Sequence, residues 1–191
     1  VVNHYISGNM HNREFNVVYD KYIMDEFEFE NGCILNDVSV EYSLRGTAKY
    51  DDAGNITNAI VYCHGYDGSY SSIEDLFVLT KKGAAFDTDE YFIVSVTALG
   101  FPESCSPSST GLNHNFPKYS INDRVNFKRQ FLAEKLGIEK VHGILGRGIG
   151  GYDAYTWACE YPDEMDFIIV STSSYRTNGY RHVLSKGIES M

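Results

Sequence analysis

No stretch of this chain approaches the roughly 20 apolar residues that a membrane-spanning helix needs. The opening residues, VVNHYISGNMHN, lack the basic n-region and the long apolar h-region of a secretory signal. Positive charge is scarce: 16 Lys and Arg stand against 26 Asp and Glu, a net charge of −10. A surface of that sign repels nucleic acid and anionic membranes, so neither is an expected partner. The charges are spread along the chain, as on an ordinary solvated surface. Cysteine is sparse, and Cys33, Cys63, Cys105 and Cys159 form no CxxC pair. They read as reduced thiols in a cytoplasmic protein. An initiator Met is missing, so a processed chain or a piece of a longer one is expected.

What is present is a hydrophobic share of 43% in 191 residues, with 15 Tyr and 11 Phe. That suffices for one domain around one core and argues against disorder. Residues 1–24 are polar and mixed and read as an N-terminal arm, leaving 25–191 as the domain. VSVEYSL alternates Val38, Val40, Tyr42 and Leu44 on one face, a half-buried strand suited to an antiparallel hairpin. NAIVYC (58–63), YFIVSV (91–96), VHGIL (141–145) and DFIIVS (166–171) are short continuous apolar runs, as in strands buried on both faces. Helices are expected over 72–83, 120–137 and 151–161. The second has Ser120 and Asp123 as a shortened capping box, an apolar stripe of Ile121, Val125, Leu132 and Leu136, and Gly137 as its stop. The alternation predicts an α/β fold, a mostly parallel sheet with helices on both faces. Ligands gather at the carboxyl ends of such strands. The loops 64–71, 97–119 and 146–151 should all lie along that edge, and the length of the second marks it as functional or mobile.

Two frames compete for GRGIGG (146–151). Gly146, Gly148 and Gly151 meet the dinucleotide fingerprint GxGxxG between a strand and a helix. That fingerprint belongs to the first βα turn, whereas two buried strands come earlier here. Its acidic partner should end the next strand, whereas Asp166 begins it. The other frame is the nucleophile elbow G-x-S-x-G, matched by Gly146, Arg147, Gly148, Ile149 and Gly150 with glycine in the serine position. The flanking glycines are expected where helix and strand approach closely.

The second frame has company along the chain. FEFENGCILNDVSVEYSLRGT, NAIVYCHGYDGSY, FDTDEYFIVSVTALG, SCSPSST, FPKYSINDRV, LAEKLGIEKVHGILGRGIGG and WACEYPDEMDFIIVSTSS follow one another over about four-fifths of the sequence. In that order and spacing they resemble the homoserine O-acetyltransferase family of the α/β-hydrolase fold. The resemblance implies an elbow serine that takes an acyl group from acyl-coenzyme A and passes it to an amino-acid hydroxyl, or hydrolyses an ester. An Asp and a His would activate it. Carried onto this sequence, the oxyanion donors are the N–H groups of Ile149 and of Tyr66 in HGYDG.

Two departures shape the functional expectation. Gly148 supplies no nucleophile. The family's acid and histidine come from later loops beyond a helical lid, and this chain stops near where that lid would begin. The expectation is a non-catalytic relative, truncated before the lid and last strands, that binds a ligand or a protein partner. The alternative is a fragment or inactivated variant of an acyl-coenzyme-A-dependent O-acyltransferase or esterase. A bare sheet edge would favour an oligomer or a complex. Asp153 and His182 follow Gly148 in triad order, but the family's acid does not come from the elbow helix. Cys105 reads as an ordinary thiol, and His64 as a histidine that shapes its loop. His64, His114 and His142 show no metal-ligand spacing. Arg147 reads as a surface residue, and Tyr155 and Trp157 as packing residues.

Overall fold

The computed structural model describes residues 17–176 and Gly179. Six strands form one mixed sheet: β1 (Val17–Glu28), β2 (Ile34–Arg45), β3 (Ala59–Cys63), β4 (Phe92–Val96), β5 (Val141–Arg147) and β6 (Met165–Ser171). Their order is β1-β2-β4-β3-β5-β6. The last four strands run parallel, and the β1–β2 hairpin joins them through an antiparallel β2–β4 pairing. Every residue of β3 and β4 is buried, which is why both read as unbroken apolar runs.

Residues 17–24 are a correction to the sequence reading. They belong to β1 rather than to an arm, while residues 1–16 lie outside the described residues. The strand hid because it packs on both faces. Tyr19 meets Tyr70 on one side, and Tyr22 meets Phe131 on the other. The β1–β2 register also skips Asp25 and Asp37, and Asp37 has a left-handed φ of 53°. Burial changes phase there, with Met24 and Phe27 both inside. No clean period of two survives for a pattern reading to catch.

Helices cover both faces unequally. One face carries a 3-10 segment (Tyr70–Leu76) that runs into α1 (Phe77–Thr80). This replaces the longer helix expected over 72–83, because Lys81 is extended and Gly83 turns the chain at φ 76°. The core on this side is thin: Ile60, Tyr62, Ile73, Leu76, Phe86, Ile93 and Leu145. The other face carries α2 (Ile121–Phe131), prolonged by a π turn (Leu132–Leu136), and α3 (Gly150–Glu160). Val61, Val94, Ile144, Phe127, Phe131 and Trp157 belong to the larger core there. The Ser120 hydroxyl accepts from the Asp123 N–H (3.1 Å), and the Asp123 carboxylate accepts from the Ser120 N–H (2.8 Å), closing the capping box. Gly137 ends the helix at φ 66°. No helix among the described residues is long and apolar enough to cross a membrane.

Two buried polar devices hold the carboxyl edge together. Asp153 on α3 accepts both arms of the Arg124 guanidinium (2.8 and 2.9 Å) and the Lys128 ammonium (2.8 Å), tying α3 to α2. Burial alone would raise the pKa of Asp153, but Lys128 and Arg124 outweigh it and hold the value near 2. The second device is His64. Its Nδ1–H donates to the Gly65 carbonyl (2.7 Å) and its Nε2 accepts from the Ala98 N–H (2.9 Å), which joins the loops after β3 and β4. These partners assign the neutral tautomer. Burial pushes the His64 pKa down to about 4, and the nearby cations Lys128 and Arg124 act in the same direction.

Asp153→Asn leaves two buried cations without a counter-charge and is expected to cost about 3–5 kcal/mol in urea unfolding. His64 gives a pH signature. Its folded pKa near 4 lies below the unfolded value of about 6.5, so the unfolded chain takes up the proton first. The stability it confers is complete above pH ~6.5 and is lost as pH falls toward 4, by about 3 kcal/mol in total. His64→Gln should flatten the unfolding free energy across that window, and an unchanged slope would contradict this assignment.

Candidate functional site

β5 ends at Arg147 and α3 starts at Gly150, so Gly148 and Ile149 alone make the turn. Gly148 has φ 55°, a left-handed conformation that strains any residue with a side chain. Its N–H donates to the Ser171 carbonyl (3.0 Å), and its carbonyl accepts from the Gly151 N–H (3.1 Å). A Cβ at Gly148 would meet only the Gly65 Cα, at 3.7 Å, an ordinary contact. The neighbouring glycines are different. A Cβ at Gly146 would sit 2.6 Å from the Gly150 carbonyl oxygen, and one at Gly150 would collide with the Cys63 carbonyl. Gly151 is closed off in the same way by Ser173 and Val170. The turn thus has three positions closed by packing and one, Gly148, with space for a side chain.

That space opens toward the loop after β3. Gly65 lies against Gly148, and Tyr66 follows it, 77% exposed. Among the described residues, the N–H groups of Tyr66 and Ile149 have no acceptor. The Tyr70 N–H donates to the Thr97 hydroxyl (2.8 Å), which brings in the loop after β4. The three loops at the carboxyl ends of β3, β4 and β5 therefore meet at one edge. A cleft of about 360 Å³ opens beside Tyr66, with Asp67, Thr97, Phe101 and Glu103 in its lining. The serine-rich part of the long loop is cross-braced: the Ser106 hydroxyl accepts from the Ser109 N–H (3.1 Å), and the Thr110 hydroxyl donates to the Ser106 carbonyl (2.7 Å).

The other sequence candidates fall away from this edge or are committed to structure. Cys105 is buried, and burial pushes its thiol up to about 11, the opposite of an activated nucleophile. Asp153 is held by two cations, as described above. Both ring nitrogens of His64 have partners. His142 is the second residue of β5, at the opposite edge, where its Nδ1 meets Asp166 (2.8 Å), and Lys140 pairs with the same carboxylate (2.9 Å). Asp166 at that far edge also serves the dinucleotide frame poorly, since the fingerprint needs its acid near the turn. His114 is exposed in a short 3-10 turn (Asn113–Asn115). Among the described residues no group of three or more His, Cys, Asp or Glu is placed to hold a metal ion. Arg147 pairs with Asp75 (3.0 Å) at the surface. The buried Trp157 indole donates to Glu164 (2.9 Å), and Tyr155 is half-buried on α3. His182 lies outside the described residues. The sequence reading missed Arg124 and Lys128. Their spacing of four residues on α2 was the available signal, because it places two cations on one helix face.

Comparison with known proteins agrees with this geometry. No family model matches the chain. A probable acyltransferase of Methanothermobacter thermautotrophicus is 44% identical over 161 residues, covering 84% of this chain and 50% of that protein. A homoserine O-acetyltransferase of Deferribacter desulfuricans is 35% identical over 173 residues, covering 80% of this chain and 44% of that protein. Among solved structures, an acetylester hydrolase from Corynebacterium glutamicum superposes with a TM-score of 0.79 at 22% identity, over 90% of this chain and 49% of the other. A homoserine O-acetyltransferase from Staphylococcus aureus does so with a TM-score of 0.69 at 22% identity, over 90% and 51%. The chain spans about half the length of the relatives it matches. It carries the α/β-hydrolase fold, built around a strand–turn–helix elbow, and in sequence it is similar to homoserine O-acetyltransferases and a related acyltransferase.

Proposed function

We propose that this chain is a non-catalytic relative of the O-acyltransferases that binds a ligand or a protein partner with a site of acyl-transfer ancestry. The observation that carries the reading is Gly148: a left-handed residue at the elbow, facing the Tyr66 loop, with no side chain. By resemblance this is where a serine would take the acyl group. Glycine offers no hydroxyl and forms no acyl-enzyme. Loss of the nucleophile from a triad that acts as a unit costs about a million-fold in rate. The unengaged N–H groups of Tyr66 and Ile149 support a site that still receives a carbonyl or carboxylate oxygen.

One observation favours a second reading, an inactivated or partial acyl-coenzyme-A-dependent O-acyltransferase or esterase. The space at Gly148 accepts a Cβ, so the turn has kept the shape of a catalytic elbow. The two readings separate by experiment. The chain as it stands is expected to release thiol from acetyl-coenzyme A in the presence of homoserine, and to cleave p-nitrophenyl acetate, only at background rates. Turnover clearly above background would sink the non-catalytic reading. In a chain extended to the length of the relatives, Gly148→Ser giving a gain of several powers of ten would establish the second reading, and no gain would retire it. Association is also part of the proposal, supported by the thinly covered face where Phe77, Val78, Leu79 and Ile169 are exposed. Light scattering is expected to report an oligomer or a complex, and a clean monomer would contradict it.

A further inference from the structure

The ion cluster beneath the elbow is not balanced. Arg124 and Asp153 make a complete bidentate pair. Lys128 is a third charge on the same carboxylate, and its only other bond among the described residues is to the Arg124 carbonyl (3.4 Å). All three side chains are no more than 3% exposed. A link between α2 and α3 would need only the Arg124–Asp153 pair. A further buried cation adds a desolvation cost that one shared carboxylate offsets poorly.

The surroundings do not cancel the surplus. Cys63, at the end of β3, is fully buried, and burial pushes its thiol up to about 12, so it is neutral. His64 is neutral for the reasons given above. Arg147 and Asp75 offset each other at the surface. Asp67 and Glu103 are exposed on the rim of the cleft, where water screens them; the Asp67 carboxylate reaches the Gly65 turn and opposes the cluster there. The route from cluster to site is short. Asp153 lies three residues into α3 from Gly150, roughly 4.5 Å along the helix axis, and Gly150 is two residues past Gly148. The Arg124 guanidinium lies 5.4 Å from the centre of the Phe101 ring. That ring in turn meets His64 (4.9 Å) and Tyr66 (6.2 Å) edge-on.

We propose that Lys128 is a positioning charge for the elbow: from its dry site on the Asp153 carboxylate it sets a positive potential at Gly148, so that the elbow prefers a small carboxylate or the oxyanion of an acyl group. This rests on the reading of the elbow as an acyl site and adds the charge of what it takes. Preorganised charge in a water-excluded site acts on an anion more strongly than the same charge in water. Burial is the main cause of the lowered pKa of His64, with Lys128 and Arg124 adding to it and Asp153 opposing them, so the charges of the cluster are felt at that loop.

A thiol placed at the elbow reads the potential directly. Gly148→Cys would be made together with Cys33→Ser and Cys159→Ser, which remove the exposed thiols. The pH dependence of its alkylation by iodoacetamide then gives its pKa. The introduced thiol is expected below the ordinary value of about 8.5. Adding Lys128→Met should raise it by about one unit. Adding Asp153→Asn should lower it further. Opposite shifts from neutralising a cation and an anion are what a potential produces, and a packing role would not. Lys128→Met is expected to fold, because the Arg124–Asp153 pair remains balanced; Lys128→Gln serves where it does not. An introduced thiol at or above the ordinary value with Lys128 in place overturns the proposal. So does a folded Lys128→Met or Lys128→Gln chain, confirmed by circular dichroism, whose thiol pKa is unmoved. The titration needs no acyl transfer, so the two readings fail separately: absent activity leaves this result standing, and an unshifted thiol removes only the role of Lys128.

Discussion

The first turn of α3 lies against the ends of β3 and β5 with no room for a side chain between them. Gly146 and Gly150 are at that contact, and a single methyl group at either would meet backbone that cannot move aside. This closeness forces the chain to reverse from strand to helix within two residues, and the reversal puts Gly148 in a left-handed conformation. The sharpness of the turn lifts that residue to the carboxyl edge of the sheet, facing the loop after β3. The geometry that makes an elbow is therefore a packing constraint first, and it persists whether or not a nucleophile occupies it.

The same contact organises what lies behind it. With α3 fixed against the sheet, Asp153 falls on its buried face and meets Arg124 and Lys128 from α2. Those ion pairs hold the two helices together, and α2 in turn carries Phe127 and Phe131 into the larger core. His64 is clasped between its own loop and the loop after β4. A residue type often met in catalysis thus serves here as a neutral brace, and its proton is displaced by burial rather than held ready for transfer.

The two faces of the sheet differ in the same physical terms. The side covered by α2 and α3 is closed and rich in aromatic contacts. The side covered by the 3-10 segment and α1 leaves Phe77, Val78 and Leu79 partly in solvent, beside the last described strand, β6. A sheet of this kind is normally covered on both faces, because apolar residues on two sides of each strand must both leave water. The uneven cover accords with a chain that spans about half the length of its relatives.

Much of this was legible from residues alone. Unbroken apolar runs marked β3 and β4, because a strand buried on both faces has no polar side to show. Ser120, Asp123 and Gly137 marked both ends of the α2 segment, because capping is a local matter of backbone hydrogen bonds. GRGIGG marked a tight strand-to-helix turn, because only glycine tolerates such close approach. Three things were decided by tertiary structure. β1 packs against both layers and shifts phase at Asp25, so its pattern has no single period. The helix expected over 72–83 is replaced by a 3-10 segment and one short α turn. Arg124, Lys128 and Asp153 look like solvent-facing charges in sequence. They become one buried cluster only because two helices, 29 residues apart along the chain, are pressed together at that level. Local spacing records which residues can share a face, while the partner across that face is set by how the whole sheet is covered.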